Sequence, residues 1–250
     1  MGGHFTSAVQ AGHLVFGPTF VPGNAVHGGK LVYFEDWITG SGEPGHKSTF
    51  TADQSDWFRT TSSSGSGKAA LDIEDGQPNG VIKFTTGDTA TDLENHQMNG
   101  TSFMSGVGGE LHFEMRCKFT NATQDAFFGL SLNTVDAHGT PTDDMIGFAL
   151  SGDADLERIS TKNNTVSAFS DTGFNIVADT WYVFSFTINR NTTATWYVDG
   201  IQVDEELTAA NVPDDAAMSP VLALESNGAN ESMFVDYILI VCDRPKGNLP

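Results

Sequence analysis

Residues 179–200 read Asp-Thr-Trp-Tyr-Val-Phe-Ser-Phe-Thr-Ile-Asn-Arg-Asn-Thr-Thr-Ala-Thr-Trp-Tyr-Val-Asp-Gly, and this stretch leaves a chain little choice but paired strands. Trp181, Val183, Ser185 and Thr187 alternate with Tyr182, Phe184, Phe186 and Ile188, the period of two that sends successive side chains to opposite faces of a sheet. Asn189-Arg190-Asn191 is a polar turn. The second strand, Ala194 to Val198, runs into Asp199-Gly200, a pair that tolerates the positive φ of a tight hairpin.

The same signal recurs along the chain. Leu111, Phe113, Met115, Cys117 and Phe119 alternate with Glu110, His112, Glu114, Arg116 and Lys118, giving one apolar face and one charged face. Further strands are expected at Lys30 to Trp37, from Trp57-Phe58, at Ala69 to Ile73 and at Val81 to Thr85. Others are expected at Ala126 to Leu132, Met145 to Leu150, Thr165 to Phe169, Pro220 to Glu225 and Met233 to Val241. The stretches 61–67, 88–94, 133–144 and 171–179 read as polar loops or links. With 27 glycines punctuating the strands and hardly any helical period, the sequence implies an all-β protein: a two-sheet antiparallel β-sandwich.

At 250 residues one sandwich core suffices. The expected divisions are an extended N-terminal arm over residues 1–30, the sandwich over 31–243 and a short tail over 244–250. The arm places Phe5, Leu14, Val15, Phe16, Phe20, Val21 and Val26 among Gly-Pro and Pro-Gly breaks. Such a segment either packs on its own sandwich or docks on another subunit.

A net charge of −20 argues against direct binding to nucleic acid or to an anionic membrane, each of which calls for a basic face. No run is long and apolar enough to span a membrane as a helix. The N-terminus lacks a basic region followed by an apolar core, so no secretory signal is expected. Cys117 and Cys242 lie in strand-like runs and are expected as buried free thiols, with a bridge open to them only if their strands are neighbours.

The Trp-Tyr…Tyr-Val-Asp-Gly hairpin resembles that of the concanavalin A-like (laminin G-like) jelly rolls. The likeness extends in order through Phe127-Phe128-Gly129-Leu130, Asp144-Met145-Ile146-Gly147-Phe148, Asp179-Thr180-Trp181 and Phe234-Val235-Asp236-Tyr237-Ile238. This series is similar to jelly-roll proteins encoded by tailed bacteriophages, which implies a virion component such as a capsid decoration (cement) protein. The fold alone serves lectins, glycosidases and viral proteins, so the motifs speak first to architecture.

Each motif residue also has a structural reading. Trp181 and Trp196 fit core or sheet-face packing. Asp236, set in an apolar strand, calls for a hydrogen-bonding partner. Gly129 and Gly147 permit a close backbone approach or a bulge.

The residues for chemistry are sparse. Glycosidases of the fold that the chain resembles carry Glu-x-Asp-x-x-Glu on one strand, and no such triplet occurs. Glu110, His112 and Glu114 share one face of a strand, a stripe that reads as a solvated sheet face. There is no Gly-x-Ser-x-Gly elbow, no phosphate loop and no metal spacing among the seven histidines, of which His4, His13 and His27 lie in the arm. Calcium is the one cofactor the loops would admit, at Asp136, Asp143 and Asp144 or at Asp153, Asp155 and Glu157.

The expectation is therefore a non-enzymatic capsid decoration protein without a required cofactor. It would sit on the exterior of a virion assembled in the host cytoplasm. Its partners would be the major capsid protein and itself, with a trimer at a shell threefold as the candidate form. Phe5, Leu14, Phe16, Phe20 and Val21 are the candidate capsid contacts. The alternative is a carbohydrate-binding module of a tail or adhesion appendage, using exposed aromatics to bind host-surface glycans.

Overall fold

A computed structural model of the chain describes residues 8–10, 13–15, 30–35, 57–62, 70–73, 80–98, 103–104, 109–132, 144–162, 169–190 and 192–243. They form two antiparallel sheets face to face, a β-sandwich of the jelly-roll kind. The one helical piece among them is a 3-10 turn at Ala209–Asn211. The larger sheet runs in the order β1 (Ala8–Gln10), β2 (His13–Val15), β3 (Lys30–Glu35), β17 (Ser232–Asp243), β8 (Glu110–Phe119), β13 (Tyr182–Asn189), β14 (Thr193–Val198), β15 (Ile201–Glu206). A short pair, β5 (Ala70–Ile73) and β6 (Ile82–Thr85), joins it along the first part of β17. The smaller sheet runs β12 (Ser170–Asn175), β11 (Asp155–Thr161), β10 (Met145–Ser151), β9 (Asp125–Ser131), β16 (Ser219–Glu225), β7 (Leu93–Met98), β4 (Trp57–Ser62). No helix of the described residues is long and apolar enough to cross a membrane.

The alternation of β8 sets the core. Leu111, Phe113, Met115, Cys117 and Phe119 are buried, while the intervening charged side chains lie on the opposite face. Register aligns β13 so that Phe113 faces Phe186 and Met115 faces Phe184, with the Phe113 and Phe186 rings stacked 4.9 Å apart. Phe184 meets Phe128 of the smaller sheet edge-on, also at 4.9 Å. Trp196, fully buried on β14, donates its indole N–H to the Gly147 carbonyl of β10 at 3.0 Å, a hydrogen bond from one sheet to the other.

The centre of the smaller sheet is buried on its other side too, where Phe127, Met145, Ile159, Val221 and Ala223 cluster. The large sheet differs: of its outward side chains on β8 and β13, Glu110 is exposed, Ser185 is buried and the rest are half-buried.

The hairpin at residues 182–206 folds as its sequence implies. Val198 stands opposite Ile201 across the two-residue turn Asp199-Gly200, whose φ values of 50° and 78° are those of a type I′ turn. Asn189 pairs with Thr193 across the other turn, and Thr192 donates its N–H to the Asn189 carbonyl.

Four further strands, β7, β11, β12 and β15, lie where the sequence reading expects none. β7 was masked because Glu94 and His96 occupy its inward positions, so buried polar groups break the apolar alternation. β11 carries a register shift at Leu156/Glu157, which disrupts its period. β12 and β15 end their respective sheets, and an edge strand with little apolar area leaves little trace in a sequence. The expected strand over Thr165 to Phe169 falls mostly outside the described residues, and the strand nearby begins at Ser170.

Cys117 and Cys242 are free and buried. Their strands are neighbours, but register places Cys117 opposite Val235 and Cys242 opposite Leu111. Six residues of strand separate those positions, about 20 Å, well beyond disulfide reach.

Candidate functional site

The outer face of the large sheet gathers the charged stripe of β8 with residues of β6, β13 and β17, row by row. At one end Lys83, Phe234 and Lys118 stand opposite one another across β6, β17 and β8. The Lys118 ammonium lies 4.4 Å and the Lys83 ammonium 5.2 Å from the Phe234 ring centre. Lys118 also lies 5.5 Å from the Trp181 ring, and the Arg116 guanidinium sits 4.6 Å from the same ring. Cations held over aromatic faces are attracted by the ring quadrupole.

A bulge in β17 builds the next row. The register shifts between Val235 and Tyr237, so Asp236 is the inserted residue, and buried Val235 and Ile238 flank two half-buried polar side chains. Asp236 forms an ion pair with Arg116. Tyr237 donates its hydroxyl to Glu114 Oε1 at 2.7 Å. His112 Nε2 approaches Glu114 Oε2 at 3.7 Å, and its Nδ1 lies 3.0 Å from the Thr187 hydroxyl. The hydrogen bond from His112, with that of Tyr237, holds the Glu114 carboxyl below the usual carboxylate range against the opposing effect of burial. Burial, and then the bond to Glu114, pushes the Tyr237 hydroxyl well up. At the far end Glu110 and Asp243 meet, with the Glu110 N–H donating to Asp243 Oδ2 at 3.0 Å.

Thus Glu110, His112 and Glu114 do share a face. As a catalytic pair the two glutamates are poorly placed: four residues along one strand separate them by about 13 Å, and opposed glycosidase carboxylates stand roughly 5–9.5 Å apart. Glu114 also accepts the Tyr237 hydroxyl at Oε1 and has His112 beside Oε2.

Other polar groups are structural. Glu94 and His96 pair inside the core of the sandwich, with the His96 ring 4.4 Å from that of Phe84. Arg158 of β11 bonds Asp204 and Glu206 of β15, tying the two sheets at one edge. Asp155 and Glu157 lie on β11 rather than in a loop, and Asp144 is buried. Among the described residues no group of three acidic, histidine or cysteine side chains could hold a metal ion. Asp136 and Asp143 lie outside the described residues.

Of the candidate capsid contacts, Leu14 stands opposite Phe34 where the β1–β2 hairpin pairs with β3. Phe5, Phe16, Phe20 and Val21 lie outside the described residues, as do His4 and His27. Sequence reasoning foresaw a partner for Asp236 but not Arg116. It also missed the cation cover on Trp181 and Phe234. The available signal was Asp236-Tyr237, two polar-tipped residues in succession where strict alternation admits one.

The family described as SO2946-like, C-terminal domain, matches residues 77–234, well over half of the chain. No curated protein sequence matches. Among solved structures, the protein of unknown function SO2946 from Shewanella oneidensis MR-1 is similar at a TM-score of 0.58 and 15% identity, covering 90% of this chain and 91% of that one. The binding domain of botulinum neurotoxin DC, solved with rat synaptotagmin II, is similar at 0.50 and 8% identity, over 74% of this chain and 43% of that one. An endo-1,3-β-glucanase from Streptomyces sioyaensis is similar at 0.49 and 14% identity, over 79% of this chain and all of that one. Likeness at such identity describes the fold.

Proposed function

We propose that this chain, which belongs to the SO2946-like family matched through its C-terminal domain, is a non-enzymatic structural protein, and specifically a capsid decoration protein of a tailed-phage head. The observation that carries the non-enzymatic part is the state of this outer face. Glu114 is bonded by Tyr237 and His112, Asp236 is paired with Arg116, and the Trp181 ring lies beside two cations. Groups so engaged are poor acids and bases toward a substrate. They suit a protein interface, in which Arg and Trp recur as anchors.

The step to a virion exterior rests on the ordered motif series that resembles phage jelly rolls. In this reading the rigid sandwich faces outward, and Phe5, Leu14, Phe16, Phe20 and Val21 contact the major capsid protein. Burying such side chains yields about 25 cal/mol per Å² of apolar area. No cofactor is needed. A sugar-stacking site is less well supported, since the large apolar side chains exposed among the described residues are Val177, Ile201 and Leu207, none of them aromatic.

Co-sedimentation with undecorated, expanded heads of the encoding phage tests the proposal. Saturable binding at a simple ratio to the shell subunit is expected, and loss of binding on removal of residues 1–29 would assign the contact to the arm. No binding to shells, together with capture of a defined oligosaccharide on a glycan array, would replace decoration by the glycan-binding reading.

A further inference from the structure

We infer that residues 207–217, the connection from β15 to β16, form a strap that opens independently of the sandwich, and that a row of side chains from β11 holds it shut. The connection carries the chain from the edge of the large sheet to the interior of the smaller one. Strand pairing stops at Glu206, opposite Ala194, and resumes at Met218, which exchanges both backbone hydrogen bonds with Phe103. Between these points, among the described residues, the backbone–backbone bonds are Asn211 N–H to Thr208 and Val212 N–H to Ala209. Both close the 3-10 turn on itself. Leu207 to Ala210 are exposed.

Side chains fasten the strap instead. Arg158 and Ser160 of β11 and Lys162 just beyond it are alternate residues, so they share one face. Arg158 fixes the point of entry, donating from Nε to Asp204 at 2.7 Å and from Nη1 to Glu206 at 3.1 Å. Glu206 then reaches forward and accepts the Thr208 N–H at 2.8 Å and the Asn211 side-chain amide at 3.2 Å. Ser160 donates its hydroxyl to the Asn211 carbonyl at 2.7 Å. Lys162 pairs with Asp214 and lies 3.9 Å from Asp215. One apolar plug completes the closure: Val212 and Pro213 are buried, and Val212 belongs to the core that both sheets share.

A segment with no ladder of backbone bonds to its body opens at lower free energy than the paired strands around it. Lifting the strap breaks the Ser160 and Lys162 rungs and unseats Val212, while every strand pairing of the two sheets stays intact. The recess left by Val212 leads into the shared core. The molecule thus carries an edge that bares apolar surface without unfolding, and the rungs set how often it does so. This device stands apart from capsid binding, which a shell assay reads separately.

Thiol labelling tests it. In a Cys242→Ala background, Val212→Cys places a small apolar thiol at the plug, and buried Cys117 on β8 remains as the reporter of global opening. The introduced thiol is expected to label faster than Cys117, at a rate little changed by dilute urea, because lifting the strap exposes little surface. Ser160→Ala and Lys162→Met each remove one rung and should speed that reaction about threefold or more. Ile240→Val lies on β17, with β8, β13 and β14 between it and β15. It should speed Cys117 labelling about threefold by weakening the core and leave the introduced thiol unchanged. Slow labelling of Cys117 shows that each variant is folded. If the introduced thiol followed Cys117 in its urea dependence and responded to Ile240→Val, the strap would open only with the whole domain. If neither rung variant changed its rate, the β11 row would not be what holds the strap. Either result overturns the inference.

Discussion

Glu114 shows how one residue of the outer face ties stability to pH. Its folded carboxyl lies below the ordinary range because His112 and Tyr237 hydrogen-bond the charged form. As pH falls the unfolded chain therefore takes up this proton first. The stabilisation is complete above the reference value of 4.5 and is lost as pH drops through the lower folded value. Glu114→Gln removes that titration and weakens the bonded network, with an expected cost of about 1 kcal/mol near neutral pH. The gap between variant and wild type should narrow on acidification, which urea midpoints at neutral pH and near pH 3.5 would reveal. An unchanged gap would mean that Glu114 is not the group responsible.

At the scale of elements, the pairing of β9 with β10 depends on two glycines. Gly129 stands opposite Gly147. A Cβ on Gly129 would lie 2.3 Å from the Ile146 carbonyl oxygen and 2.6 Å from Gly147 Cα, both backbone atoms that cannot rotate away. Gly129→Ala is expected to cost about 2–3 kcal/mol through forced separation of the two strands. Denaturation midpoints measure this, and a shift below about 0.5 kcal/mol would show that the pair can spread. The sequence already marked these positions as places of close approach, because Gly interrupts Phe-Phe-Gly-Leu and Ile-Gly-Phe inside otherwise apolar runs. Legibility followed burial. β8, β13, β14 and β17 each carry an apolar face repeated at period two and were read in place. β7 escaped because its inward positions hold Glu94 and His96, and β15 because Ile201, Gln202 and Glu205 are exposed on an edge strand. The site was legible in part: the β8 stripe is local in sequence, whereas its partners Asp236 and Tyr237 lie about 120 residues away and meet it only through register and a bulge.

On the scale of the whole molecule, the two sheets share one core, so opening any central part requires separating them. The indole bond from Trp196 to Gly147 and the ring contacts of Phe128 with Phe184 and Phe119 cross between the sheets. Cys117 lies in this shared core on the central strand β8, with its thiol pushed well up by burial, and thiolate is the form that reacts. Cys242 sits next to the last residue of β17, flanked by β3 and by the start of β8. Strand ends open by local fraying at low free energy, whereas a central strand opens only with the whole domain. The two thiols should therefore label in separate phases with an aromatic disulfide reagent. Cys242 should react first at a rate little affected by dilute urea. Cys117 should react slowly, with a rate that rises with urea in parallel with global unfolding followed by tryptophan fluorescence. Cys242→Ala removes the fast phase and assigns it. If Cys117 instead reacted rapidly without urea, the sheets would separate locally, and the shared core would not act as one cooperative unit.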